Sequence, residues 1–386
     1  MEILSALFGL LLMCLFAIYH LTRFCRRRYM EEGYIFVGKV ILLLAIIAGA
    51  LYQPAKDYLL AEKVEQLHVA LRCNKVKEAI ALLDSGIPVN KKGKRGDRAI
   101  HAAIYSGNKE LVKEVIKRGA HLEKWGMHER TPLIKASAKG DLEMVKILID
   151  AGANLNGRSD FGATALLQAT EAGHLSLVNL LLRHGADVTL ADNNQRAPIH
   201  GAVDRLQPAV LEVLLNRDDC ILKQDSLGWN LLHRVAFYGI MFRKKEKDIL
   251  TKLTRTIELL VEKGVSWEQL ENKGRSAAHM ACAYQDKEVL ATFIEAGCPL
   301  EVVDKEGDTP LLSAIRKRRF SKVKALYDQG ASIRAQTKDG LTAYELGKKV
   351  GLYNEVLAIL RPEGEVEAKE DEGSALGHSE AGASIK

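Results

Sequence analysis

No two of the six cysteines stand at C-x-x-C spacing, and none falls in a metal-type cluster. Cys14 and Cys25 lie near the amino end, followed by Cys73, Cys220, Cys282 and Cys298. That scatter supplies neither a disulfide framework nor a zinc site. Cys73 and Cys282 occupy helix positions suited to small core residues, so burial is expected of both. There is no nucleophile elbow, H-E-x-x-H pair, Walker-type loop, G-x-G-x-x-G after a strand, or kinase set. No catalytic residue, cofactor or metal is therefore assigned, and neither an enzyme nor a small-molecule substrate is expected. The basic runs lack interleaved aromatics, which argues against nucleic acid as a partner.

What the chain does have is a step of 33 residues. Gly86, Gly119, Gly152 and Gly185 follow one another at that interval. Asp218 takes the next position, and Gly264, Gly297 and Gly330 resume the step after one gap of 46. A second series gives the same count: Glu65, Arg98, Thr131, Thr164, Ala197, Asn230, Ser276, Thr309 and Thr342, with 46 only between Asn230 and Ser276. One unit thus carries 13 extra residues, placed around Gly239 to Lys252. A fixed period of this size marks stacked units, none of which buries its apolar face alone.

Within each period the chemistry reads as two helices and a turn. Thr is a good N-cap, and Pro fits the first helical position because its missing N–H had no intrahelical partner. Ala102-Ala103, Ala136-Ser137 and Ala281-Cys282 are small enough for close helix approach. The second helices are bulkier, as in Met144 to Ile149 and Leu177 to Leu182. A glycine closes each helix pair except at Asp218, and a finger of about ten residues should lead to the next unit.

Thr131-Pro132-Leu133-Ile134-Lys135-Ala136 and Thr309-Pro310-Leu311-Leu312-Ser313-Ala314 open their units, and Gly152-Ala153-Asn154-Leu155-Asn156 and Gly185-Ala186-Asp187-Val188 close theirs. In these residues the chain resembles the ankyrin-repeat family. The resemblance implies an all-α fold: an ankyrin-repeat solenoid of about nine helix-turn-helix units over residues 54–361, binding a protein along its concave groove.

Two apolar stretches precede it. Ile3 to Leu21 has no formal charge, and Tyr34 to Tyr52 has only Lys39. Each approaches the roughly 20 residues that cross a bilayer. We expect transmembrane helices over 1–22 and 34–53, with a basic loop at 23–33 (Arg23, Arg26, Arg27, Arg28) facing the cytoplasm. The lipid bilayer then becomes a partner through residues 1–53, and the repeats lie outside the cytoplasm, periplasmic in a Gram-negative source. The tail over 362–386 is rich in Glu, Gly, Ser and Ala and is expected to be disordered.

His68, His101, His200, His233 and His279 share one repeat position, which reads as a structural slot in the local turn rather than a metal site. Basic clusters stand at Lys91 to Arg95, Arg243 to Lys247, and Arg316 to Arg319 with Lys322 and Lys324. Positions four, seven and eight beyond each opening residue should face the groove. They nominate Tyr105, Lys135, Lys139, Gln168, Glu171, Asp204, Arg205, Arg234, Phe237, Tyr238, Tyr284, Arg316 and Lys317 as partner contacts. Phe237, Tyr238 and Tyr284 form a candidate aromatic patch. Trp125 is a candidate contact at a finger tip, whereas Trp229 is expected to pack between fingers. The function expected is a membrane-anchored protein-binding scaffold, in one version an inhibitor or immunity factor. The alternative is a structural or assembly component that uses the solenoid as a spacer.

Overall fold

The computed structural model describes residues 16, 19–20, 32–123, 130–217, 224–238, 248–284 and 287–361. Among these, eighteen helices follow one another, and the sole β pairing is an isolated bridge between Gln336 and Thr342. After α1 (Glu32–Arg72) and α2 (Val76–Asp84) come the pairs α3 (Ala99–Ser106) with α4 (Lys109–Lys117), and α5 (Pro132–Lys139) with α6 (Leu142–Asp150). Next are α7 (Ala165–Ala172) with α8 (Leu175–Arg183), and α9 (Pro198–Asp204) with α10 (Pro208–Leu215). Then come α11 (Leu231–Tyr238) with α12 (Ile249–Glu262), and α13 (Ala277–Tyr284) with α14 (Lys287–Glu295). The last pairs are α15 (Pro310–Arg316) with α16 (Phe320–Asp328), and α17 (Ala343–Val350) with α18 (Asn354–Leu360). The chain divides into two compact units, Met1–Gly201 and Ala202–Lys386.

Local chemistry sets the helix starts. The hydroxyls of Thr131, Thr164 and Thr309 accept the N–H of Ile134, Leu167 and Leu312 at 3.3, 3.2 and 3.4 Å. Thr342 and Glu345 cap each other reciprocally in a full capping box. First helices are short and small-faced, so nearly the whole of each is buried: Ala99 to Ile104 in α3, Ala277 to Cys282 in α13. Second helices bury one stripe, such as Met144, Val145 and Leu148 in α6. Within each unit, first helices pack on neighbouring first helices and second helices on second helices. The core therefore runs from repeat to repeat.

The extra residues of the sixth repeat lengthen its second helix. α12 has 14 residues where most second helices have nine, and its buried face runs from Ile249 through Leu253, Ile257 and Leu260. Residues 239–247, with the Arg243 to Lys247 cluster, lie outside the described residues, as does the expected tail at 362–386.

The expected membrane anchor is corrected. The second apolar stretch is no bounded span but the first half of α1, a single helix of 41 residues. α1 continues through Pro54, Lys56 and Asp57 and ends as the opening helix of the first repeat, where Val64, Leu67, Ala70 and Leu71 are buried. Helix formation is cooperative, so the repeat that anchors one end propagates it past the apolar segment. Among the described residues no helix is long and apolar enough to cross a membrane. The multi-pass localisation and the extracytoplasmic placement of the repeats fall with that finding. The first expected span at 1–22 lies outside the described residues except at 16, 19 and 20. Cys73 also differs from expectation: it follows the end of α1 and is exposed, whereas Cys282 and Cys298 are buried.

Gly185 closes the fourth repeat at φ +90°, and a Cβ built there meets nothing within 4 Å. The cost of a side chain at that point is purely conformational. Gly185→Ala should lower stability by about 1–2 kcal/mol, read as a shift in the urea unfolding midpoint.

Candidate interaction site

The histidine slot does more than serve its own turn. In the seventh repeat the His279 Nε2–H donates to the Asp308 carbonyl at 2.9 Å, and its Nδ1 accepts from the Ser276 hydroxyl at 2.8 Å. His233 donates in the same way to the Arg275 carbonyl at 3.1 Å, and its Nδ1 lies 2.6 Å from the Asn230 side-chain oxygen. His101 donates to the Arg130 carbonyl at 3.1 Å. A carbonyl only accepts, so each of these Nε2 atoms carries the proton. Each ring thereby ties its own helix start to the finger of the next repeat.

Burial holds these rings neutral, pushing His68 and His101 down to about 4 and lowering His233 and His279. The unfolded chain, with histidines near 6.5, binds protons that the folded chain refuses. Their contribution to stability is thus complete above about pH 6.5 and is lost as the pH falls toward 4. The melting temperature should be flat above pH 7 and already decline between pH 6.5 and 5, ahead of the carboxylate range.

In the unit Met1–Gly201, Tyr105 lies at the end of α3 with 60 % of its surface exposed. Lys139 stands 5.0 Å from its ring centre and donates to the carbonyls of Ile104 and Tyr105 at 3.1 and 2.8 Å, closing the end of α3. Lys135 stands 5.8 Å from the same ring and 3.6 Å from the Asp97 carboxylate, with burial lowering its basicity. Glu171 is held by Arg196 at 2.9 Å and by Gln168 at 2.9 Å. Trp125 lies outside the described residues.

In the unit Ala202–Lys386 the aromatic patch is assembled. Phe237 and Tyr238, the last residues of α11, touch ring to ring at 4.8 Å, and Tyr284 at the end of α13 meets Phe237 at 4.8 Å. Trp229 joins them at 4.9 Å from Phe237, buried to 7 % exposure. Such edge-on pairs contribute about 0.5–1.5 kcal/mol each beyond their area. Tyr284 keeps half its surface open, with Arg275 6.0 Å from its ring centre.

Arg234 forms the floor beneath the rings. Its guanidinium donates to both Asp204 oxygens at 2.9 and 2.6 Å and to Asp225 at 3.0 Å, and it lies 5.3 Å from the Tyr238 ring centre. Burial works against its charge, and the two carboxylates more than offset that and keep it protonated. The expected contact Arg234 is therefore a buried brace. Arg205 is half-buried at the end of α9. Arg316 is exposed but forked onto Asp308 at 2.6 and 2.8 Å, and Lys317 donates to the Ser313 hydroxyl at 3.2 Å.

Three residues here were not nominated by the repeat register: Asp225, Glu271 and Arg275. Their signal was an acid five positions before the opening residue, at Asp192, Asp225, Glu271 and Asp304. These carboxylates close the finger turns, as Asp225 does by accepting from the Leu227 and Trp229 N–H groups at 2.9 and 3.0 Å. Glu271 and Arg275, like Asp192 and Arg196, then pair four residues apart. No metal-holding group of His, Cys, Asp and Glu occurs among the described residues.

Comparison with known proteins agrees with this geometry. The family model described as ankyrin repeats, three copies, matches residues 67–159, 121–192 and 249–337, more than half of the chain. The chain belongs to the ankyrin-repeat family. It is 33% identical over 176 residues to the B-cell lymphoma 3 protein homolog of Mus musculus, covering 45% of this chain and 37% of that protein. It is 25% identical over 136 residues to an ankyrin repeat protein of Variola virus, covering 35% of this chain and 23% of that one. The B-cell lymphoma 3 protein of Homo sapiens matches at 35% over 91 residues, 22% of this chain and 20% of its own length. The matches thus span well under half of each relative.

Arg234→Ala would leave Asp204 and Asp225 buried without a counter-charge. It should cost about 3–5 kcal/mol, measured by urea unfolding and by loss of the near-ultraviolet dichroism of Trp229.

Proposed function

We propose that this chain is a protein-binding scaffold and that the Phe237, Tyr238 and Tyr284 patch carries much of its partner contact. The supporting observation is the open face of Tyr284, at the edge of a row of rings braced from below by a buried, doubly paired arginine. Rings fixed in this way lose little freedom on binding, and aromatic and arginine side chains dominate interface energies. Tyr105 with Lys135 and Lys139, and Arg316 with Lys317, are further contact candidates, with Glu171 and Arg205 supporting their neighbours. Inhibitory capture of a partner and assembly of a larger complex would use the same surface.

The test is partner recovery with a Tyr238→Ala/Tyr284→Ala double variant. Truncation at two contact rings costs about 1–2 kcal/mol each, so affinity should fall at least tenfold while Arg234 and the fold stay intact. Equal recovery of the same partners by both proteins would remove the patch from consideration.

A further inference from the structure

The last two repeats carry a concentration of positive charge. Between Thr309 and Arg361 there are eleven basic residues against four acidic ones. Five of the exposed cations stand at the ends of the first helices: Lys317, Arg318 and Arg319 after α15, Lys348 and Lys349 at the end of α17. α15 and α17 pack on each other, and Arg316 and Lys349 hold the same position in successive repeats, so the two ends adjoin. Arg318 confirms the contact by donating to the Gly351 carbonyl at 3.4 Å.

Among the described residues, four of these cations meet neutral groups. Lys317 meets the Ser313 hydroxyl, Arg318 the Gly351 carbonyl, Arg319 the carbonyls of Cys282 and Ala283, and Lys348 the Tyr344 ring at 4.8 Å. Their charge is left for another group to balance. Arg318 also has φ +55° at the position where Gly107, Gly140 and Gly173 stand in other repeats. A long cationic side chain is thus kept where the backbone favours glycine.

The charge that would balance them follows directly in the chain. Seven of the residues from Pro362 to Lys386 are acidic and two are basic, with six of the acids in Glu363 to Glu372. Arg361, from which they continue, stands 5.7 Å from the centre of the Tyr344 ring that Lys348 also faces. We propose that the acidic segment 363–372 docks on the cation patch formed by Lys317, Arg318, Lys348 and Lys349 of its own chain. Extended chain covers roughly 3.3 Å per residue, so ten residues can span up to about 33 Å. Tethering gives an effective concentration on the order of millimolar, which lets individually weak, salt-screened pairs hold the segment in place.

The test uses the full-length protein alone. Zero-length carbodiimide coupling should join Glu363–Glu372 carboxylates to Lys317, Lys348 or Lys349, and the coupled peptides should disappear at 0.5 M salt. In parallel, the acetylation rates of Lys317, Lys348 and Lys349 should rise several-fold when the six acids are changed to Gln and Asn. Lys75 and Lys77, in the first repeat, should not change. Unchanged rates with no coupled peptides would overturn the proposal. So would coupling that is mainly between molecules in a mixture of isotopically light and heavy protein. Neither result bears on the aromatic patch, which the tyrosine variant reads separately.

Discussion

Everything in this molecule depends on apolar faces that only a neighbouring repeat can cover. A helix of eight residues such as α3 is too short to stand alone in water. It forms because its small side chains let it lie against α1 on one side and α5 on the other. The histidine bridges add direction to that stacking, since each proton donated to the next finger fixes how far one repeat is displaced from its neighbour. Burial supplies the cohesion throughout, and at His101, His233 and His279 the bridges add to the register.

On this framework the site is a departure from the repeat pattern. In the unit Met1–Gly201 the corresponding first-helix ends carry Tyr105, Lys139 and Glu171. At α11 and α13 they instead bring Trp229, Phe237, Tyr238 and Tyr284 into one row. The repeat position decides that these side chains meet, and their identity decides what the surface can hold. Ankyrin-repeat proteins can therefore change partner without changing fold, and the family assignment leaves the partner to be named by experiment.

Much of this architecture is legible in the amino-acid order alone. The 33-residue step places every helix opening from Ala99 to Ala343, and the threonines mark the caps they make. The aromatic patch also follows from register. Other features do not, and each for a physical reason. The His279 slot looks local because a single period cannot show a bond that reaches into the next one. Arg234 looks like a contact because periodicity gives the face of a helix but not the depth at which a side chain ends. The apolar run from Tyr34 to Tyr52 looks like a bounded span because composition does not say that one helix carries on through Pro54. The five extra residues at the start of α12 are hidden because an insertion's length can be counted while its conformation cannot.

The Arg234 brace has one more consequence. It joins α11 to Asp204 at the end of α9 and to Asp225 in the finger ahead of it, so three segments share one charge centre. Repeat stacks ordinarily fray inward from an end, one layer at a time. Peeling that starts at α18 can consume the later layers individually, but at the sixth it must expose two carboxylates and a guanidinium together. The array should therefore come apart in blocks, with a stopping point at α11.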